Sequence, residues 1–365
     1  MNIGVNARLL SDRPLEGMGR YTFETVYMMA KAHPESTFYL FFDRKIHDQY
    51  LLLPNIKGVL VWCPTRHPIL ILIWFEILLP CYLKKYKIDV FYSADNFTSL
   101  RTKVSCLLIC HDLAFRHFPQ GLSKAYLQFY IFFIPRYLRK ARKVGTVSEF
   151  VKKDITSFLN IGNKVFVAPN ALPTMAMNIT EPKVEKIIPQ PYFIYVGSIH
   201  PRKNIKRTIE AFMLFNQKVN DTCNLVLLGR NAWGNTELKD LLLNKNIIHV
   251  ENADDHQKYE YIKNSEGLLY ISLNEGFGIP VLEGFACGVP VITSNVSSMP
   301  EVAGDAAILV DPTSVYEISE AMKELFENKE KSLALKEKGT KRLEEFNWEH
   351  TGKIIYQQFI QIKAL

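Results

Sequence analysis

The sequence predicts an α/β protein built of two doubly wound domains with a cleft between them. Three observations carry that prediction. Short apolar segments are continuous rather than alternating, as strands buried on both faces of a parallel sheet must be, and stretches of helical period separate them. The rhythm breaks once, over residues 169–191, where Pro169, Pro173, Pro182, Pro189 and Pro191 stand among polar residues, and then restarts. The 365 residues suffice for two domains of ordinary size.

In the first half, residues 3–9, 37–42, 58–62, 88–92, 104–110, 144–147 and 165–168 read as strands. Helical patterns lie between them near 21–32, 68–86, 124–143 and 149–160. In the second half the strands are 192–196, 224–228, 247–250, 267–271, 289–293 and 307–310, each followed by a helix; Ile205, Ile209, Phe212 and Met213 recur at helical spacing. Residues 327–345 read as a charged, solvated helix and 348–362 as an amphipathic one. The expected organisation is a first domain over 1–170, a linker over 171–191, and a second domain over 192–347. The terminal helix, 348–365, is expected to pack back on the first domain. Ligands of such sheets bind beyond the carboxyl ends of the strands.

Composition removes several function classes. With 48% apolar and 22% charged residues the chain can bury real cores, so disorder and fibrous design are out. The six cysteines (63, 81, 106, 110, 223 and 287) form no C-x-x-C pair, which argues against a disulfide scaffold or structural zinc and for a reducing, cytoplasmic setting. Residues 1–8 begin as a strand, so no signal peptide is expected. The longest apolar run, 69–83, is broken by Glu76 and Pro80 and is shorter than the roughly 20 residues of a bilayer span. Charge is divided unevenly: residues 1–180 carry 23 Lys and Arg against 12 Asp and Glu, residues 181–365 carry 21 against 25. A basic first half suits an anionic partner, namely a phospholipid surface, a phosphorylated substrate or nucleic acid; the alternative is charge drifting between domains without purpose.

The most informative segment is Glu275-Gly276-Phe277-Gly278-Ile279-Pro280-Val281-Leu282-Glu283. A strand runs into a polar loop, then Gly-Phe-Gly, then a helix with Pro280 in its first turn, where proline is tolerated. Glycines there let backbone approach a ligand, and the exposed amides of a helix start favour an anion. Glu275 and Glu283 flank that mouth and can face one ligand, one for sugar hydroxyls and one for a ribose diol. Otherwise Glu275 merely caps the helix and Glu283 is a surface charge. In a second segment, Tyr195 to Asn204, a strand ends in a glycine turn and Arg202 and Lys203 open the next helix. Cations there oppose the helix dipole, an arrangement that makes sense around a diphosphate.

These motifs, with Ala286-Cys287-Gly288-Val289-Pro290-Val291 after the first, Pro201-Arg202-Lys203-Asn204 before it and Phe346-Asn347-Trp348-Glu349 opening the terminal helix, resemble the retaining glycosyltransferase family 4, of GT-B fold with two Rossmann-like domains. The resemblance spans the chain and is strongest over 192–312. The Pro-Arg-Lys-Asn turn and Gly17-Met18-Gly19-Arg20-Tyr21 are most similar to bacterial mannosyltransferases of polysaccharide assembly.

The resemblance implies roles. Arg202 and Lys203 would hold the diphosphate of a nucleotide-sugar donor, Glu283 its ribose and Glu275 its sugar. The backbone at Gly276, Phe277, Gly278 and Ile279 would complete the donor pocket. Gly17 and Gly19 would form a flexible loop over the cleft, and His111, at the end of strand 104–110, would touch donor sugar or acceptor. The acceptor would be a glycan or lipid-linked saccharide, attacked from the front face with a leaving-phosphate oxygen taking its proton. GDP-mannose is the expected donor.

The same residues admit other readings. Gly17-x-Gly19 with Asp43 as a dinucleotide fingerprint fails because Thr22 stands where Gly or Ala belongs. Ser148 reads as a plain helix cap. No Asp-x-Asp occurs, so no metal or other cofactor is expected, and charge on the departing diphosphate falls to Arg202, Lys203 and the helix start. No nucleic-acid partner is expected. The aromatic and basic residues of 126–143 suit peripheral contact with an anionic membrane on its inner face, or else a helix buried on the sheet with cations at its C-terminus. A nucleotide-sugar 2-epimerase, a phosphorylase, or a non-catalytic nucleotide-sugar-binding protein of the same fold are the alternatives.

Overall fold

The computed structural model describes residues 1–11, 15, 17–174, 188–230 and 239–364. The chain divides into two compact units, Met1–Pro173 with Asn347–Leu365, and Thr174–Phe346. Of the expected linker, 175–187 lie outside the described residues.

The first unit is a seven-stranded sheet in the order β3-β2-β1-β4-β5-β6-β7. Its strands are β1 (Asn2–Asn6), β2 (Thr37–Phe42), β3 (Ile56–Leu60), β4 (Val90–Ser93), β5 (Ser105–Cys110), β6 (Lys143–Thr146) and β7 (Val165–Val167). Its helices are α1 (Gly17–Ala32), α2 (Pro68–Ile73), α3 (Leu79–Lys85), α4 (Ala114–His117), α5 (Lys124–Lys140) and α6 (Glu149–Phe158). Every strand pairing is parallel. That explains why β4 and β5 read as unbroken apolar runs: their side chains are buried in sequence rather than alternately.

The single helix expected over 68–86 contains a π-helical turn, Trp74–Leu78, between α2 and α3. Pro80 lacks the N–H that an α-helical bond to residue 76 requires, and a widened turn before a proline accommodates that loss. Helix α5 is buried on one face and exposed on the other. Phe129, Ile134, Tyr137 and Leu138 are buried on the inner face, whereas Lys124, Ile131, Phe132, Arg136, Arg139 and Lys140 form an exposed stripe.

The second unit is a six-stranded parallel sheet in the order β10-β9-β8-β11-β12-β13. The strands are β8 (Tyr192–Val196), β9 (Asn224–Leu228), β10 (Ile247–Val250), β11 (Gly267–Tyr270), β12 (Val291–Ser294) and β13 (Ala307–Val310). The helices are α7 (Ile205–Lys218), α8 (Lys239–Leu242), α9 (Asp255–Lys263), α10 (Ile279–Ala286), α11 (Met299–Ala303), α12 (Val315–Glu327) and α13 (Lys329–Leu343). Helix α13 is more than the solvated helix expected from its charge. A Cβ on its Gly339 would lie 2.7 Å from the Phe285 ring, so the missing side chain is what lets α13 lie close against α10.

In both sheets the chain winds outward, then returns to the middle, reversing direction between β1 and β4 and between β8 and β11. Such a reversal leaves the loops after the two central strands diverging, which opens a crevice at their carboxyl ends.

The last helix, α14 (Trp348–Lys363), belongs to the first unit. Trp348 Nε1 donates to the Leu172 carbonyl at 2.6 Å, its ring meets Tyr21 edge-on, and Thr351 Oγ1 donates to the Pro169 carbonyl at 2.7 Å. Ser36 and Tyr356 share a buried hydroxyl contact of 2.7 Å. Trp348→Ala removes the largest of these anchors and is expected to cost about 3–5 kcal/mol. Urea unfolding of the first unit measures it, and a loss below about 1 kcal/mol would mean that the helix docks by other means.

Candidate functional site

The residues after β8 and β11, the two central strands of the second sheet, meet. Beyond β8 the chain forms not the start of α7 but a separate one-turn 3-10 helix, Pro201–Lys203. Its sequence dictates that turn. His200 Nδ1 accepts the Arg202 N–H at 3.2 Å, Pro201 fills the first position, and Asn204 takes the left-handed backbone (φ 61°) that asparagine tolerates. The buried Asn204 amide then donates to the carbonyls of Ile271 and Pro312, at 3.2 and 2.6 Å. Arg202 and Lys203 therefore oppose no helix dipole directly; they are carried on a short turn fastened to the end of β11, where the Leu273 N–H also donates to the Arg202 carbonyl.

Both cations reach one carboxylate. Lys203 Nζ lies 2.5 Å from Glu275 Oε1 and Arg202 Nη1 lies 3.2 Å from Oε2. Lys203 also donates to the Tyr270 hydroxyl at 2.5 Å, and Arg202 to the Asn274 carbonyl at 3.2 Å. Glu275 is 6% exposed. Burial pushes its carboxyl upward, but Lys203 and Arg202 outweigh burial and hold it below the ordinary carboxylate range. The three side chains sum to one positive charge in a largely desolvated place, and removing one partner from such a set costs about 3–5 kcal/mol.

The mouth of α10 adjoins them. Gly278, its N-cap, has φ 115°, a conformation that favours glycine, and the tip of Met299 lies where a Cβ would be. Ser298 Oγ is within hydrogen-bonding reach of the Glu275 and Phe277 carbonyls, at 2.9 and 2.8 Å, which fixes the loop's shape. The Phe277 ring is buried against Phe346 at 5.5 Å, so only backbone of this residue can serve a ligand. Ile279 is the first residue of the helix. Glu283, one turn in, is 4% exposed and accepts from Lys258 Nζ at 2.8 Å and from the Tyr259 hydroxyl at 3.3 Å. It is a buried, partnered carboxylate and not a surface charge. Among the described residues no group of three or more His, Cys, Asp and Glu side chains could hold a metal ion.

Two models of known families divide the chain. Residues 15–175 match that of glycosyltransferase family 4, and residues 177–342 that of the glycosyl transferases group 1. The chain belongs to glycosyltransferase family 4. It is 27% identical over 360 residues to the O-antigen chain mannosyltransferase B of Escherichia coli, covering 92% of this chain and 94% of that one. The fold is that of GT-B glycosyltransferases. Sucrose-phosphate synthase of Thermosynechococcus elongatus superposes with a TM-score of 0.74 at 16% identity, over 100% of this chain and 99% of that one. The HepE protein of Anabaena, in complex with UDP-glucose, gives 0.70 at 14% identity over 100% of each.

In the first unit of this glycosyltransferase, Gly17 and Gly19 are not in a loop but in the first turn of α1, with 12–14 and 16 outside the described residues. Gly19 is tightly placed, since a Cβ would meet the Leu15 side chain at 2.7 Å and the Leu9 carbonyl at 3.1 Å. His111 follows β5; its Nε2–H donates to the Ala94 carbonyl at 3.1 Å and Tyr21 stands edge-on at 5.0 Å. Burial lowers its pKa, so the ring is neutral with Nδ1 as a lone-pair acceptor. Ser148 is the cap of α6, accepting from the Val151 N–H.

Several residues at these sites escaped sequence reasoning. In the first unit Arg8, after β1, pairs with Asp95, after β4, at 2.6 Å; Ser93 accepts from Asn6 at 2.9 Å and donates to Asp95 at 3.1 Å. A cation just past the first strand and an acid just past the fourth were the available signal. In the second unit Tyr270, Lys258 and Tyr259 lack any motif of their own, and His200 and Asn204, though within the quoted segment, carried no expected role.

His200 gives the site a pH dependence. Burial, then Arg202 and Lys203, lower its pKa, so the folded protein refuses a proton that the unfolded chain accepts below about 6.5. Stability is thus expected to fall as the pH drops through that value. His200→Asn keeps an acceptor that cannot be protonated, and its unfolding free energy should vary less between about pH 7.5 and 5. Equal slopes for variant and wild type would contradict the assignment.

Proposed function

We propose that the protein transfers a hexose, with mannose from GDP-mannose the favoured case, from a nucleotide-diphospho-sugar to a glycan or lipid-linked saccharide, retaining the anomeric configuration, in synthesis of a cell-surface polysaccharide. The observation that carries this reading is the convergence of Arg202, Lys203 and Glu275 beside the glycine-capped mouth of α10. Phosphates placed there meet two cations and a helix start, while Glu275 offers carboxylate oxygens to sugar hydroxyls. The mannosyltransferase named above supports the sugar and the polysaccharide, and the UDP-glucose in the HepE structure supports a nucleotide-sugar donor.

In this reading the bond from the anomeric carbon to the phosphate oxygen breaks as the acceptor hydroxyl oxygen bonds that carbon on the same face. The acceptor's proton passes to the departing phosphate oxygen. Arg202 and Lys203 balance the charge that accumulates on that diphosphate, so the reading requires no metal ion or other cofactor. His111, with its neutral ring and free acceptor nitrogen in the first unit, is assigned to hydroxyl recognition on the donor sugar or acceptor.

Peripheral contact with an anionic membrane, on its cytoplasmic face, belongs to the same proposal. Among the described residues no helix is long and apolar enough to cross a membrane. The outer face of α2 and the π turn presents Ile69 and Ile77, and that of α5 presents Ile131 and Phe132, all 50–60% exposed. Lys84, Lys85, Arg136, Arg139 and Lys140, also exposed, extend these faces with positive charge. Apolar residues beside cations on neighbouring helices suit insertion between anionic headgroups.

A thermal-shift panel of GDP, UDP and ADP sugars tests the donor: the cognate one should raise the melting point most, and no shift with any would defeat the site. Lys203→Ala is expected to weaken nucleoside-diphosphate binding about 10- to 100-fold while leaving the bare nucleoside within about threefold. Equal losses for both would exclude a phosphate role. Proton NMR of the product's anomeric centre decides retention. For the membrane, Ile131→Glu combined with Phe132→Glu should abolish flotation with phosphatidylglycerol vesicles; binding that survives this change, or that is equal on neutral vesicles, would refute the contact.

A further inference from the structure

Glu283 holds its two oxygens in different states. Oε1 accepts from Lys258 Nζ at 2.8 Å and from the Tyr259 hydroxyl at 3.3 Å, whereas Oε2 accepts no hydrogen bond among the described residues. The side chain as a whole is 6% exposed, and Oε2 is its open end. A carboxylate oxygen without a protein donor, on a side chain whose other oxygen is held twice, is available to accept from a ligand's hydroxyls. Its two neighbours come from successive residues of α9, whose start is fixed by a capping box between Asp254 and Gln257. Lys258 is itself buried to 17% side-chain exposure and is held from the other side by Asp255 at 3.2 Å.

We propose that Lys258, with Tyr259, is a positioning residue for the donor's ribose: it takes one oxygen of Glu283 and turns the other toward the vicinal diol. The inference rests on the donor-site reading above, in which Glu283 serves the ribose. The chemistry suits the task. A diol donates two hydrogen bonds and needs a charged acceptor held in one orientation, and an ammonium and a phenol on the same oxygen leave the carboxylate a single way to face. Burial opposes the charge on Lys258, but Glu283 and Asp255 more than offset it, so the ammonium persists. Lys258 touches no substrate in this arrangement; it acts through Glu283.

The test compares GDP and UDP, each against its 2′,3′-dideoxy counterpart, by titration calorimetry on the full chain. Wild type should prefer the ribose form of the cognate nucleotide by about tenfold or more. In Lys258→Met that preference should collapse to within about threefold, with binding of the dideoxy form unchanged within about twofold, and Lys258→Arg should restore most of the preference. A merely structural lysine would weaken both forms equally. Glu283→Gln is the control: its preference should also collapse. If Glu283→Gln loses the preference and Lys258→Met keeps it, the positioning role is wrong and the donor site stands. If Glu283→Gln keeps it, the ribose assignment itself is wrong and the proposal falls with it. Should Lys258→Met not fold, Lys258→Gln carries the same comparison, a neutral donor being expected to lose most of the preference.

Discussion

The second unit depends on one buried carboxylate shared by two cations. Glu275 lies at the end of the segment after β11, and Arg202 and Lys203 on the turn after β8, so their contacts join the two loops that diverge where the sheet reverses. They tie those loops by side-chain charge where backbone and amide contacts, such as Leu273 N–H to the Arg202 carbonyl, already bring them together. The neighbouring bonds serve the same end: Asn204 reaches past the turn to Ile271 and Pro312, and Ser298 holds the backbone on either side of Gly276. A charged cluster of this kind is weak evidence for stability as such, because desolvation consumes much of the Coulombic gain. Its significance is that it keeps positive charge, a glycine-capped helix start and a carboxylate within one small volume.

Much of the fold was legible because parallel sheets leave a plain mark. A strand buried on both faces is apolar throughout, and each of the segments read as strands is one, with ends displaced by at most three residues. The displaced ends are informative. The first strand stops at Asn6 because the polar network of Asn6, Arg8, Ser93 and Asp95 takes over beyond it, and no periodicity announces a network assembled from residues 87 apart. Helix α1 begins at Gly17, ahead of any apolar period, since its first turn packs on Leu9 and Leu15 through the absence of a side chain at Gly19. The charge of α13 concealed its packing for the same reason: what it offers to Phe285 is the bare backbone of Gly339.

The site was legible in its motifs and not in its supports. Glu275, Glu283, Arg202 and Lys203 stand in patterns whose residue types have chemical meaning, and three of the four do meet. Glu283 instead faces Lys258 and Tyr259, residues of a short helix that no spacing connects to it. His200 and Asn204 were visible only as letters beside the basic pair; their work, capping a turn and closing it in left-handed backbone, is set by local dihedral angles. Side chains that orient other side chains are written in three dimensions, and a single sequence shows them last.

The placement of α14 bears on how the protein is made. Residues 174–346 form a unit of their own, inserted into the chain of the first, whose covering helix is translated after them. On the ribosome the second unit can therefore mature while the first still waits for Trp348 and Thr351 to reach the carbonyls of Leu172 and Pro169. Until then Tyr21 of α1 and Tyr92 of β4 lack the ring partners, Trp348 and Phe359, that cover them in the finished fold.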